Sequence, residues 1–244
     1  MKTLKMARLA GLFGAGAGLA CAVEGDMFMA KSLVIGASGG IGRALCAALG
    51  AVGVSRSFDG LDVTDEGSVR SVMAGLNGPY GTVFIATGAL EIGPHTPEKA
   101  LRAVSPEGLR VQFDTNALGP ILVLKHLIPH LSRDTPSRIG ILSARVGSIG
   151  DNGMGGWYSY RAAKAALNQL VHTAAIELAR SHKQAVLALL HPGTVATDFT
   201  AKYAGNHPTV PPTEAAGNLI RVLNGLTPAH SGGFYDWAGE PVPW

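Results

Sequence analysis

In the stretch GGWYSYRAAKAALNQL, residues 155–170, Tyr160 and Lys164 stand four positions apart, while Tyr158 stands six from the same lysine. Residues four apart on a helix share a face; residues six apart do not. A phenol titrates near about 10 and is a poor proton-transfer group at neutral pH. An ammonium held ~4.5 Å away, in surroundings of effective dielectric ~20, favours the phenolate by roughly 3–4 kcal/mol, or about two to three pKa units. The spacing therefore predicts Tyr160 as a general acid–base residue, with Lys164 lowering its pKa. Tyr158 gains no such partner and is expected, with Trp157, to wall a pocket.

A second group of residues could hold a phosphate. KSLVIGASGGIGRALCAAL passes from a continuous apolar run through glycines into helical spacing, which reads as strand, turn and helix. Gly36, Gly40 and Gly42 form G-x-x-x-G-x-G in that turn. Glycine lets the backbone approach a pyrophosphate, and the helix N-terminus offers unpaired N–H groups and a positive dipole end. Arg56 follows the next apolar run in GVSRS. A free ribose 2′-hydroxyl would call for Asp or Glu there; a 2′-phosphate calls for a guanidinium. With Ser55 and Ser57 as further donors, the expected cofactor is NADP(H).

These residues need a frame. After the first strand and helix, AVGVSRS reads as a short strand, and Thr64 or Asp65 can cap a helix over EGSVRSVMAGL. GTVFIATGAL, SRIGILSA and QAVLALLHPG are uninterrupted apolar runs of the kind buried on both faces of a parallel sheet, and SGGFYDWAG closes the series. Helices are predicted around Pro97–Leu109, Val111–Leu131 and Ala162–Arg180. Strands alternating with helices predict an α/β fold: a single doubly wound, Rossmann-like parallel sheet with helices on both faces. No repeat or linker marks a second domain, so residues 29–244 are expected to form one dinucleotide-binding domain. The longest polar interruption, residues 198–214, is the candidate lid.

Composition excludes several classes. Of 244 residues, 47% are apolar and 15% charged, as in a well-buried globular chain. The formal charge of +3 comes without a basic cluster, so no nucleic-acid partner is expected. Cys21 and Cys46 are too few for a disulfide framework. Residues 1–28 carry Lys2, Lys5 and Arg8, an apolar stretch and Ala20-Cys21-Ala22, the pattern of a secretory signal. The stretch is short for a membrane span. A start placed too far upstream of Met27 or Met29 is the reading preferred here, since the cofactor is an intracellular one; the expected location is cytoplasmic. His126 and His130 are spaced like two metal ligands on one helix face, but no third ligand accompanies them, and no metal is expected. His191 is expected to be a structural hydrogen-bonding residue. No G-x-S-x-G elbow is present.

The ordered set GASGGIG, LDV, ATG, NALG, Y-x-x-x-K and HPGTVATD resembles the short-chain dehydrogenase/reductase family from Lys31 to Trp244. Within it, LSARVGSIGDNGMGGWYSYRAAKAALNQL is similar to the C-factor and sniffer-like carbonyl reductase branch. The resemblance implies NADP(H)-dependent hydride transfer between nicotinamide and a carbonyl or alcohol, with Tyr160 as acid–base residue and Lys164 also binding the nicotinamide ribose. Asn116 would hold a water in the proton relay. Cofactor contacts would come from Gly36, Ser38, Gly40, Ile41 and Gly42 in the turn, from Arg56, Asp62, Val63, Ala86 and Gly88, and from Pro192, Gly193, Val195 and Thr197 in addition to the Tyr–Lys pair. Relatives form dimers or tetramers, so a homo-dimer or homo-tetramer is the implied assembly, with monomers as the alternative. Two departures stand out. Ile85-Ala86-Thr87-Gly88 replaces the family's Asn-Asn-Ala-Gly, and Ala144 occupies the place of the catalytic serine, leaving Ser143, the preferred candidate, or Ser148. Ala144 also favours a competing reading, a fold that senses cofactor or signals without turnover; Asn116, Tyr160 and Lys164 together favour the enzyme.

Overall fold

The computed structural model describes residues 31–203, 205 and 208–244; the expected N-terminal extension, residues 1–28, lies outside them. Six parallel strands form one sheet in the order β2-β1-β3-β4-β5-β6: β1 (Lys31–Ile35), β2 (Val52–Val54), β3 (Tyr80–Ile85), β4 (Ser137–Leu142), β5 (Ala185–Leu190) and β6 (Phe234–Tyr235). Each matches one of the apolar runs. The central strands β1, β3, β4 and β5 are Val-, Ile- and Leu-rich because both of their faces are covered. Helices α3 (Glu66–Ala74), α5 (Gly119–Leu127) and α6 (Tyr158–Ser181) lie over one face, where Ile35, Val83, Ile139, Leu167 and Leu187 share a core. Helices α1 (Gly40–Leu49) and α7 (Pro212–Gly225) cover the other around Val34, Phe84, Ala188 and Leu219. The short α2 (Arg56–Asp59) follows β2.

One predicted helix was misplaced. Only a single 3₁₀ turn, Leu101–Ala103, interrupts irregular chain before α4 (Pro106–Phe113), so Pro97–Leu109 is not a helix. Proline is favoured at the first helical position and disfavoured within, which explains why Pro106 starts α4 with Ser105 as its cap. The expected helix Val111–Leu131 is present as a continuous helical run, α4 passing through a π segment over Asp114–Leu118 into α5 (Gly119–Leu127) and a final 3₁₀ turn. Helix α7, which was not expected, takes the end of the 198–214 segment; Pro211 and Pro212 mark its start rather than continuing a loop. The rest of that segment is an excursion closed at its base, where Val195 bridges Val210 and the Ala196 N–H donates to the Val210 carbonyl at 2.9 Å. Among the described residues no helix is long and apolar enough to cross a membrane.

Candidate active site

All the expected site residues belong to turns after the carboxyl ends of the strands or to the helices that follow, the edge where open α/β sheets bind ligands. The turn between β1 and α1 is built around close backbone approach. Gly36 adopts φ +90°, and a Cβ added at Gly42 would lie 2.1 Å from the Gly36 carbonyl oxygen. Helix α1 begins without a side-chain cap and with no acid in its first turn, so its N–H groups remain free for an anion. Ser38 sits half-buried in this turn, whereas Ile41 packs against the α1/α7 core. A Cβ at Gly40 would lie 2.6 Å from Thr197 Cγ2, so the segment after β5 reaches the glycine turn and the two walls of the cleft meet.

The adenine side is equally well formed. Ser55 caps α2, accepting from the Phe58 N–H at 3.3 Å, while its own N–H donates to the Asp59 carboxylate at 2.8 Å. Arg56 is exposed and makes no ion pair among the described residues. Thr64 donates its N–H and hydroxyl to Asp62 Oδ1 at 2.9 and 2.7 Å, and these bonds hold the Asp62 carboxyl below its usual range. Val63 packs on Gly119 at the start of α5. In the turn after β3, the Ala86 N–H donates to the Ile35 carbonyl at 2.7 Å, and the buried Thr87 hydroxyl has no protein partner. Gly193 carries φ +78° against the Trp237 ring, and Val195 is buried at the Val210 bridge. This set fits a nicotinamide dinucleotide: a cradle that a Cβ would fill, an uncapped helix end, an unpaired guanidinium and an orphaned hydroxyl.

Tyr160, Lys164 and Asn116 are all buried, at 5, 3 and 0% exposure. A Cβ at Gly88 would lie 2.9 Å from Asn116 Oδ1 and 3.6 Å from Lys164 Nζ, so both side chains close on that one position. Asn116 sits in the π turn, a geometry frequent at functional sites. Its amide donates to the Ala89 carbonyl at 2.8 Å and to Gln112 Oε1 at 2.7 Å, and its Oδ1 accepts the Ala89 N–H at 3.0 Å. One Oδ1 lone pair is left over.

The electrostatics depart from the expectation. Lys164 Nζ lies 5.9 Å from the Tyr160 ring centroid and donates to the Leu142 carbonyl at 3.0 Å. Burial raises the Tyr160 phenol above its ordinary value, and burial pushes Lys164 down to about 8. Desolvation disfavours both charged forms and outweighs their mutual attraction at this distance. Burial thus favours the neutral phenol of Tyr160.

The serine expectation also changes. Ser143 ends β4 on the face that carries Ile139 and Ile141, and its hydroxyl proton goes to Asn168 Oδ1 on α6 at 2.6 Å. Ser148, likewise buried, accepts the Asp151 N–H at 3.0 Å and keeps its own proton free of protein partners. Ala144 precedes the 3₁₀ turn Arg145–Gly147.

Around Tyr160 stands an aromatic group in which Trp157 meets Tyr160 edge-on at 6.2 Å and Tyr203 at 5.4 Å, while Phe199 tilts toward Tyr160 at 6.4 Å. Tyr158, 38% exposed, joins none of these ring pairs. The Tyr203 hydroxyl donates to Glu91 Oε1 at 2.6 Å, and Lys202 pairs with the other oxygen at 2.7 Å. His191 makes only a backbone bond, its N–H to the Tyr235 carbonyl at 2.8 Å. Its buried Nδ1 has no partner and its pKa is pushed down to about 4, first by burial and then by Arg145. The ring is therefore neutral and packed, without the side-chain hydrogen bond expected of it.

This fold and this Tyr–Lys–Asn arrangement define a dinucleotide-dependent oxidoreductase scaffold. The family model for enoyl-(acyl carrier protein) reductase matches residues 33–224, and the chain belongs to the short-chain dehydrogenase/reductase family. A 1-hydroxy-2-glutathionyl-2-methyl-3-butene dehydrogenase from Rhodococcus sp. (strain AD45) is 35% identical over 191 residues, covering 76% of this chain and 79% of that protein. C-signal of Myxococcus xanthus is 39% identical over 132 residues, covering 54% of this chain and 76% of its own length. A solved short-chain dehydrogenase/reductase from Burkholderia multivorans with bound NADP superposes with a TM-score of 0.72 at 25% identity, over 88% of this chain and all of that one.

Proposed function

We propose that the chain is an NADP(H)-dependent carbonyl reductase with Tyr160 as its acid–base residue. The observation that carries this reading is the closure of Lys164 and Asn116 on Gly88 beside the buried Tyr160 phenol. The α1 turn would hold the pyrophosphate, and Arg56, with Ser55 and Ser57, the 2′-phosphate; the NADP-bound relative supports the choice. When bound, the nicotinamide supplies or accepts the hydride. Tyr160, kept neutral by burial, donates its proton to the substrate oxygen as charge develops there. Lys164 binds the ribose and returns a proton to Tyr160, aided by a water on the remaining Asn116 lone pair. Ser148, whose proton is uncommitted, replaces Ser143 as the second donor to the substrate oxygen.

Purified protein is expected to consume NADPH with members of an aldehyde and ketone panel. Tyr160→Phe removes the proton donor and is expected to abolish turnover while NADPH affinity stays within about twofold. Activity retained in Tyr160→Phe would overturn the mechanism. The competing reading, a cofactor-sensing or signalling protein, rests on Ala144 and on the likeness to C-signal. NADPH binding without turnover on any carbonyl would favour it.

A further inference from the structure

The chain reaches α6 through a backbone that should not hold itself. Gly155, Gly156 and Trp157 occupy left-handed conformations in succession, with φ of +66°, +67° and +53°. The tryptophan is the one non-glycine residue with positive φ among those described, and a bulky side chain there is a marked outlier. Helix α6 then starts with no side-chain cap from its own sequence and no acid in its first turn. Two turns of that helix carry Tyr160 and Lys164.

What holds the lead-in comes from far away in sequence. The Trp157 N–H donates to the Glu98 carbonyl at 2.6 Å. The Glu98 carboxylate accepts the Ser159 N–H on Oε2 at 3.2 Å and the Ser159 hydroxyl on Oε1. Glu98 is 8% exposed and has no cationic side chain as partner among the described residues. Its counter-charge is therefore the positive N-terminal end of α6 and the donors there. A buried carboxylate without a cation is costly unless its hydrogen bonds are made. It is retained here at the first turn of the helix that carries the proton donor.

We infer that Glu98 is a positioning residue for Tyr160: its carboxylate caps α6 in trans, beside the main-chain bond that holds Trp157, and so sets the phenol's place. Its hydrogen bonds all go to the lead-in and first turn of α6, so it acts through the helix of Tyr160. The inference rests on the reading of Tyr160 as proton donor, since only then does placement of the first turn of α6 govern turnover.

Glu98→Ala is expected to lower kcat by about 10²-fold, the scale of loss from a misplaced catalytic group, while NADPH affinity stays within about twofold. Glu98→Gln keeps the length and one carbonyl oxygen for the Ser159 N–H, and is expected to recover most of that kcat. Amide hydrogen exchange across residues 157–164 should accelerate in Glu98→Ala while that of α1 stays unchanged. Wild-type kcat in both variants would overturn the inference, whatever happens to Tm; so would a parallel fall in NADPH affinity, or no recovery in Glu98→Gln. If Glu98→Ala fails to fold, Ser159→Ala, which removes the hydroxyl contact alone, must lower kcat by about tenfold; wild-type kcat there overturns the idea. If the unsubstituted protein turns over no carbonyl, the proposed function has failed separately. Hydrogen exchange then decides the cap on its own: unchanged exchange at the first turn of α6 overturns it.

Discussion

The glycine turn between β1 and α1 and the lead-in to α6 both deliver a chain into a helix at the same edge of the sheet, yet they are stabilised differently. The first is local. Its closure comes from Gly36 and Gly42, six residues apart, which leave out side chains; Val54, whose carbonyl accepts the Ala37 N–H at 3.1 Å, Ala86 and Thr197 only border it. The second depends on a part remote in sequence, Glu98 from the segment after β3, beside a local tie from Arg161, whose guanidinium donates to the Gly156 and Gly155 carbonyls at 2.9 and 3.1 Å. Binding a cofactor requires a rigid mould that any local sequence of the right shape supplies. Placing a proton donor against a substrate brings several segments together, and that side of the cleft is accordingly irregular.

The effect expected to reach both binding and stability tests the local half. Gly42→Ala sets a Cβ against the Gly36 carbonyl, and an overpacked turn costs about 1–3 kcal/mol. NADPH affinity should fall more than tenfold, with Tm lower by about 2–12 °C, as read by fluorescence titration and calorimetry. Unchanged NADPH affinity would show that the turn is not a mould. The next effect tests the assembled half. Ser148→Ala should lower kcat by about 10²-fold, whereas Ser143→Ala, whose proton serves Asn168, should lose stability more than turnover. The opposite ranking would return the role to Ser143. Arg56→Asp should then shift preference from NADPH toward NADH by about tenfold or more in kcat/KM, a charge-assisted contact being replaced by repulsion. Equal use of both cofactors by the unsubstituted protein would remove the ground for it. The smallest effect is on pH. In the proposed relay Lys164 must be protonated to return a proton, and burial pushes its pKa down to about 8. Reduction should therefore slow as pH rises through that value, and remain level between about pH 6 and 7.

The same contrast explains what the sequence made legible. The six strands were readable because β1, β3, β4 and β5 are buried on both faces, so their apolar runs are uninterrupted. Tyr160 and Lys164 were readable because helical spacing is a local property. The direction of the Tyr160 shift was not, because it depends on burial by Trp157, Phe199 and the sheet, none of which the spacing encodes. Glu98 was missed for a related reason. In HTPEKA it reads as one more solvated acid beside a proline, and its partner Ser159 lies 61 residues on. The helix expected over Pro97–Leu109 put Glu98 on a regular surface, when an irregular chain was needed to carry it inward. Helix α7 was hidden by Pro211 and Pro212, which punctuate a helix start as readily as a loop.

The Val195–Val210 bridge has an evolutionary consequence. Because the two ends of the excursion are already hydrogen-bonded to each other, its length is uncoupled from the sheet below. Doubling such a loop costs only about 0.6 kcal/mol in closure entropy. Residues between the bridge points, Phe199 and Tyr203 among them, form an exchangeable cassette. Selection can lengthen, shorten or re-side-chain it while the strands beneath are inherited unchanged.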